Sequence, residues 1–172
     1  MSEARVPVAG AMMAPAFVTT GEIETNYWRA GCGPAVLLLV DEARDTQRQI
    51  AAFAALAPRA RVFVPDQLTI AALTCPRASH ESPFSRWLRF FLEGLGIPPV
   101  RVVARIGLAH ELFTFAAANP GLLSSVLLLG GGALSGYPDG LAVRALPADA
   151  SWEEIANVVM PSREQGGSTA LG

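Results

Sequence analysis

Four short apolar runs constrain the fold of this chain most strongly. They occur at 35–40 (AVLLLV), 60–66 (ARVFVPD), 100–105 (VRVVAR) and 124–132 (SSVLLLGGG). The first run has no polar alternation, so both of its faces must be covered, as in a central strand of a parallel sheet. The intervening stretches 45–56, 84–95 and 109–118 carry apolar residues at helical spacing. The order therefore predicts an α/β fold of the doubly wound kind, with a mostly parallel sheet flanked by helices.

Short polar signals mark the ends of the predicted helices. Ser82 before Pro83 is typical of a helix N-cap followed by proline at the first helical position. Gly96 follows the second helix, where a residue that tolerates positive φ is favoured. Ser151 and Glu154 have the spacing of a capping box, which predicts a further short helix there.

The remaining segments define the predicted domain organisation. Residues 17–29 read as two short strands with a turn at Gly21, and 133–150 reads as a loop. We expect an N-terminal arm over 1–16, one domain over 17–160 and a polar, glycine-rich, disordered tail over 161–172.

The composition excludes several classes of function. Of the 172 residues, 51% are hydrophobic and 16% are charged, so the chain is apolar for one domain, and we expect part of its surface to be covered by a partner. All 13 cationic residues are arginine, and the formal net charge is -2. The absence of lysine excludes Schiff-base chemistry and a P-loop lysine. The net negative charge disfavours binding to the phosphate backbone of nucleic acids.

The cysteines and the hydropathy pattern predict a cytoplasmic protein. Cys32 and Cys75 have no metal-ligand spacing, and we interpret both as reduced thiols. The N-terminal stretch lacks the basic and continuous apolar regions of a signal peptide. No apolar run approaches the roughly 18 residues of a membrane span. The sequence predicts no metal site and no cofactor.

Several motifs occur in the order known from one enzyme family. They are IETNYWRAGCGPAVLLLV, RVFVPDQ, WLRFFLEGLGIPPVRVVARIGLA and FAAANPGLLSSVLLLGGG. From about Phe17 to Gly132 the chain resembles the N-terminal half of an α/β-hydrolase. The resemblance implies a shortened fold of that type, in which the third motif contains the strand-to-helix turn called the nucleophile elbow.

The residues at the elbow depart from the family pattern. The family carries a serine within G-x-S-x-G, whereas ARIGL at 104–108 has Ala104 and Leu108 at the glycine positions and Ile106 at the serine position. Isoleucine has neither an ionisable proton nor a lone pair, so it cannot act as a nucleophile. A β-branched residue also disfavours the strained backbone of an elbow, so we expect a relaxed turn.

The other catalytic parts implied by the resemblance are missing as well. After the strand LLLV, the position of the oxyanion loop has Val40 and Asp41, and a carboxylate there would oppose a developing negative charge. We expect the chain to stop before the strands that carry the family's acid and histidine. His80 and His110 are the two histidines, and neither matches the catalytic position.

A few residues remain as weak catalytic candidates. His110 and Glu111 begin a helix, but adjacent helical residues point about 100° apart and do not form a dyad. His80 lies in a loop that we interpret as capping or solvent-facing. Asp66 ends the strand VFVP at the edge of the sheet where ligands of α/β folds gather, although fixing the next loop explains it better. The glycines at 130–132 lack the spacing of a dinucleotide fingerprint.

Three hypotheses for function follow. In the first, the chain is a catalytically inactive relative of the α/β-hydrolases that acts as a regulatory or assembly subunit, with a protein partner or a second copy covering the shortened sheet. In the second, it is an esterase-like hydrolase with non-standard or partner-supplied residues. In the third, it binds a small apolar ligand in a pocket lined by Val40, Asp41, Ile106, Gly107 and Leu108.

Overall fold

The computed structural model describes residues 6–8, 11–20, 23–40, 46–66, 82–97, 99–132 and 134–161. Eight strands form one sheet: β1 (Val6–Val8), β2 (Ala11–Thr20), β3 (Ile23–Ala30), β4 (Ala35–Leu39), β5 (Arg61–Pro65), β6 (Val100–Arg105), β7 (Leu123–Leu129) and β8 (Ala142–Leu146). The helices are α1 (Thr46–Leu56), α2 (Pro83–Leu95), α3 (Ala109–Ala118) and α4 (Trp152–Val159), and a 3₁₀ turn spans Ile106–Leu108.

The sheet is mixed, with a parallel centre. The strand order is β1-β2-β3-β5-β4-β6-β7-β8. The pairs β1/β2, β2/β3 and β3/β5 are antiparallel, whereas β5/β4, β4/β6, β6/β7 and β7/β8 are parallel. The predicted fold class is therefore confirmed: the sheet is mostly parallel and helices flank it.

Helices cover both faces of the sheet, which creates two hydrophobic cores. One core contains Leu37, Leu39, Val102 and Ala104 and is closed by α2 and α3. The other contains alternate residues of the same strands and is closed by α1 and α4. The absence of polar alternation in these strands thus reflects burial from two sides.

The caps predicted from the sequence are present. The Ser82 hydroxyl accepts a hydrogen bond from the Ser85 N–H at 3.1 Å, and Gly96 has φ 62° after α2. The Ser151 side chain accepts from the N–H of Glu154, whose carboxylate in turn accepts from the Ser151 N–H at 2.9 Å. The Ser151 N–H and the Ser151 hydroxyl, which also donates to the carboxylate at 2.9 Å, hold the pKa of Glu154 below its ordinary value.

Two segments differ from the sequence-based expectation. The stretch predicted as a loop contains β8, which pairs in parallel with β7 from Ser125↔Ala142 to Leu129↔Leu146. At the other end, β2 begins at Ala11 and pairs with β3, so it includes residues that the sequence analysis assigns to an N-terminal arm. A short edge strand such as AVRAL lacks a long apolar run, because little of it is buried.

Two local contacts fix the geometry around β3. The indole Nε1 of Trp87 on α2 donates to Thr25 Oγ1 at 2.9 Å, and both side chains are buried. Gly31, directly after β3, has φ 79°, and a Cβ at this position would overlap the carbonyl oxygens of Ala57 and Ala60. The turn into β4 therefore requires glycine at position 31 for both its conformation and its lack of a side chain.

We expect Gly31→Ala to lower the free energy of unfolding by about 3 kcal/mol, because left-handed strain adds to overpacking. Gly121→Ala is the matched control: Gly121 has φ 89°, but its Cβ would meet no atom within 4 Å. The control should lose only about 1 kcal/mol. Urea denaturation of both variants measures the difference. Equal losses of unfolding free energy would show that the close approach to residues 57–60 adds nothing to the cost of the Gly31 substitution.

We also expect Ser151→Ala to lower the free energy of unfolding by about 1 kcal/mol through loss of the N-cap. The variant should raise the pKa of Glu154 part of the way to its ordinary value, because the Ser151 N–H remains a donor. A lowered pKa means that the Glu154 contribution to stability is present at neutral pH and is lost as the pH falls through that pKa. An NMR titration of Glu154 checks this, and an unchanged pKa would contradict it.

Candidate functional site

The turn after β6 is the position at which the sequence resemblance places a nucleophile. Arg105 at the end of β6 has extended backbone angles (φ -69°, ψ 148°), and Ala109 at the start of α3 is already helical (φ -56°, ψ -47°). Between them, Ile106–Leu108 form one 3₁₀ turn. The chain thus passes from strand to helix through a right-handed turn, so Ile106 avoids the positive φ that would strain a β-branched residue.

Ile106 packs against the triple-glycine segment that follows β7. A Cβ at Gly130 would lie 2.6 Å from Cγ2 and 3.1 Å from Cβ of Ile106, and one at Gly132 would lie 3.5 Å from its Cδ1. The N–H groups of Gly130 and Gly131 both donate to the carbonyl of Leu146, at 3.1 and 3.2 Å. The glycines therefore make room for an isoleucine and tie β7 to β8.

Four residues of the predicted apolar pocket lie within the described part of the chain. Val40 is 3% exposed and belongs to the core under α1 and α4. Leu108 packs against the other core, under α2 and α3, while Gly107 is exposed and Ile106 is half-buried. Val40 and Leu108 thus lie on opposite faces of the sheet, and Asp41 lies outside the described residues.

Asp66 lies at the carboxyl end of β5, as the sequence predicts. Its side chain is exposed, and its N–H donates to the carbonyl of Asn26 on β3 at 2.8 Å. This bond extends the pairing of β3 and β5 by one residue beyond Pro65.

His110 and Glu111 diverge from one another, as expected for adjacent helical residues. His110 is exposed on the first turn of α3. The Glu111 carboxylate accepts a hydrogen bond from the Ser82 hydroxyl at 2.8 Å, and Ser82 is the N-cap of α2. Glu111 thus links the starts of two helices. The candidate His80 lies outside the described residues.

One open depression lies on the opposite half of the sheet from the turn after β6. Its volume is about 470 Å³, and it is lined by Pro15, Ala16, Phe17, Asn26, Tyr27 and Arg29. Phe17 is 67% exposed there. The sequence analysis missed this feature, because its residues read only as paired strands and nothing local marks Phe17 as exposed.

No group of three or more histidine, cysteine, aspartate or glutamate side chains in the described part of the chain is arranged to hold a metal ion. Within the same residues, every helix is too short or too polar to cross a membrane.

Comparison by sequence finds no relative of this chain: no known family matches it, and no curated protein matches it. Comparison by structure is more informative. The carboxylesterase CesB of Bacillus subtilis superposes with a TM-score of 0.54 at 16% identity, over 68% of this chain and 42% of that one. Naproxen esterase of the same organism gives 0.54 at 16%, over 68% and 42%.

A third solved structure belongs to a different hydrolase. The haloalkane dehalogenase DatA of Agrobacterium tumefaciens superposes with a TM-score of 0.51 at 15% identity, over 68% of this chain and 40% of that one. This chain thus spans less than half the length of the enzymes that it resembles. At such low sequence identity, the structural similarity establishes the fold alone. The strand order, the two-sided helix layers and these superpositions together show that the chain has an α/β-hydrolase fold.

Proposed function

We propose that this chain is a catalytically inactive α/β-hydrolase-fold protein that works by binding another protein, as a regulatory or assembly subunit. The observation that carries the proposal is the packing of Ile106 onto Gly130 at the turn after β6. An apolar side chain occupies the place where the sequence resemblance puts the nucleophile, and the neighbouring glycines accommodate it. Acyl transfer from this position has no attacking atom.

The nearby ionisable groups do not replace the missing parts. A nucleophile needs a base within hydrogen-bond reach, and the base needs a third group to orient it. His110 is exposed, and the adjacent carboxylate of Glu111 is engaged by the N-cap hydroxyl of Ser82. Asp66 lies at the end of a different strand, β5. These positions support a binding role over a catalytic one.

The binding part of the proposal is supported by the edge of the sheet at β8. This strand is last in the order of the described strands, and Ala142, Arg144 and Ala145 on it are exposed. An edge strand offers unpaired backbone groups to a partner. We also propose a cytoplasmic location, which the free, exposed thiol of Cys32 supports.

The second candidate is an esterase-like hydrolase completed by residues of a partner chain. The likeness in fold to a carboxylesterase and a dehalogenase favours it. A partner can supply an acid or a histidine, but it does not change the side chain at the tip of the turn. Activity measurements on the isolated protein and on a complex therefore separate the two candidates.

We expect Ile106→Ser to show no hydrolysis of p-nitrophenyl acetate or butyrate above the unmodified protein, because a serine alone has neither a base nor oxyanion donors. Ile106→Val is the control for altered packing at the same site. The release of p-nitrophenol under matched conditions is the measurement. Turnover by the serine variant, or by the unmodified protein above buffer, would overturn the proposal that the site is inactive.

A double-mutant cycle tests whether the glycines serve Ile106 or a ligand. Gly130→Ala should destabilise the protein, and less so when Ile106→Ala is already present, because the Cγ2 contact is then absent. Backbone strain at Gly130, with φ 142°, is common to both backgrounds and cancels. We expect a coupling free energy of about 1 kcal/mol or more from urea denaturation. Additive losses would show that the segment does not serve to seat Ile106.

A further inference from the structure

The backbone of β8 presents a defined set of hydrogen-bonding groups at the edge of the sheet that the described residues form. The Leu146 carbonyl accepts from Gly130 and Gly131, so Leu146 points its backbone groups toward β7. Successive residues of a strand alternate in this direction, so Ala142 and Arg144 also point inward. Val143 and Ala145 therefore direct their N–H and C=O groups outward, and these four groups have no partner among the described residues.

The side chains of β8 permit a neighbouring strand to approach. Natural edges are protected by short strands, charged side chains, proline or a β-bulge, and β8 has the first two because it is five residues long with Arg144 at its centre. The run Ala142–Leu146 contains no proline, and its register with β7 is regular over five residue pairs. Ala142 and Ala145 are small and exposed, and Val143 and Leu146 are half-buried. The one long polar side chain, Arg144, lies at the centre of the strand.

The same geometry opposes pairing with a second copy. In a two-fold antiparallel pair that uses all four outward groups, Val143 faces Ala145 of the other copy, and Arg144 faces its own equivalent. That central pair is not hydrogen-bonded, so its Cα atoms would be about 4.5 Å apart, and like charges directly opposite destabilise a sheet. A shift by one register toward the C-terminus places Pro147, which has no N–H, opposite Val143.

A different partner strand removes this repulsion. Arg144 is exposed, and no carboxylate of the described residues pairs with it. We propose that β8 docks an extended segment of another protein, which adds as a strand through Val143 and Ala145 and places an aspartate or glutamate opposite Arg144. This inference rests on the proposed function and names the surface and the chemistry of the partner.

Two synthetic peptides probe the edge directly: acetyl-Thr-Val-Glu-Val-Thr-amide, and the same peptide with lysine at the centre. Each is titrated into the full isotopically labelled chain, and NMR follows the amides of Val143 and Ala145. We expect the glutamate peptide to shift these amides and to slow their hydrogen exchange, with about five-fold tighter binding than the lysine peptide. Arg144→Glu should reverse the preference.

Two further variants control the interpretation. Arg61→Glu makes the same charge change at an exposed arginine on β5, and it should leave the preference unchanged. Ala145→Pro removes one outward N–H without removing a bond to β7, and it should abolish binding of both peptides. Folding of each variant is checked from the amide spectrum, and Arg144→Glu keeps the test decisive if the proline variant unfolds.

Three results would overturn the inference. The first is that neither peptide affects the two amides, and the second is that Arg144→Glu leaves the preference as it was. The third is protection of Val143 and Ala145 by dimerisation of the unmodified protein, which would make a second copy the occupant. Ester hydrolysis by the chain would instead refute the proposed function, whereas a physiological partner that binds Arg144→Glu normally would refute only the docking edge.

Discussion

Burial of the central strands from both sides is the constraint on which the rest of the structure depends. Alternate residues of β4 and β6 point into separate cores, so helices must cover both faces of the sheet. Right-handed crossovers then place α1 on one face and α2 and α3 on the other. The carboxyl ends of the parallel strands lie at one edge of the sheet. The turn after β6 follows the carboxyl end of that strand, Arg105, and therefore lies at this edge. The position of the candidate site is thus a consequence of sheet burial.

Much of this fold could be predicted because the apolar periodicity is local and strong. The strands AVLLL and VRVVAR and the helix over 109–118 follow directly from it, as do the caps at Ser82 and Ser151. The strand β8 was not predicted because it is five residues long, is interrupted by Arg144 and is mostly exposed, so no clear periodic signal marks it. Its stability comes from pairing with β7, which is a tertiary contact and leaves little trace in the local sequence.

Part of the candidate site could likewise be predicted from the sequence, and part could not. The sequence alone shows that position 106 is isoleucine. It therefore also shows that the side chain there has no nucleophilic atom. Its contact with Gly130 joins residues that are 24 positions apart, and the hydrogen bond from Ser82 to Glu111 joins residues that are 29 apart. Neither follows from spacing, because each depends on how β6, β7 and the helices pack. The sequence therefore indicates which residue stands at the turn after β6, and the structure shows which residues it contacts.

We propose that this α/β-hydrolase-fold chain works by binding a different protein. Native mass spectrometry of the protein, purified gently from its own cells at low salt, tests the claim most directly. The account predicts one larger species that contains this chain and a second, different polypeptide in a fixed ratio, and it predicts that Arg144→Glu reduces that species. A lone monomer or a homo-oligomer under the same conditions would contradict it.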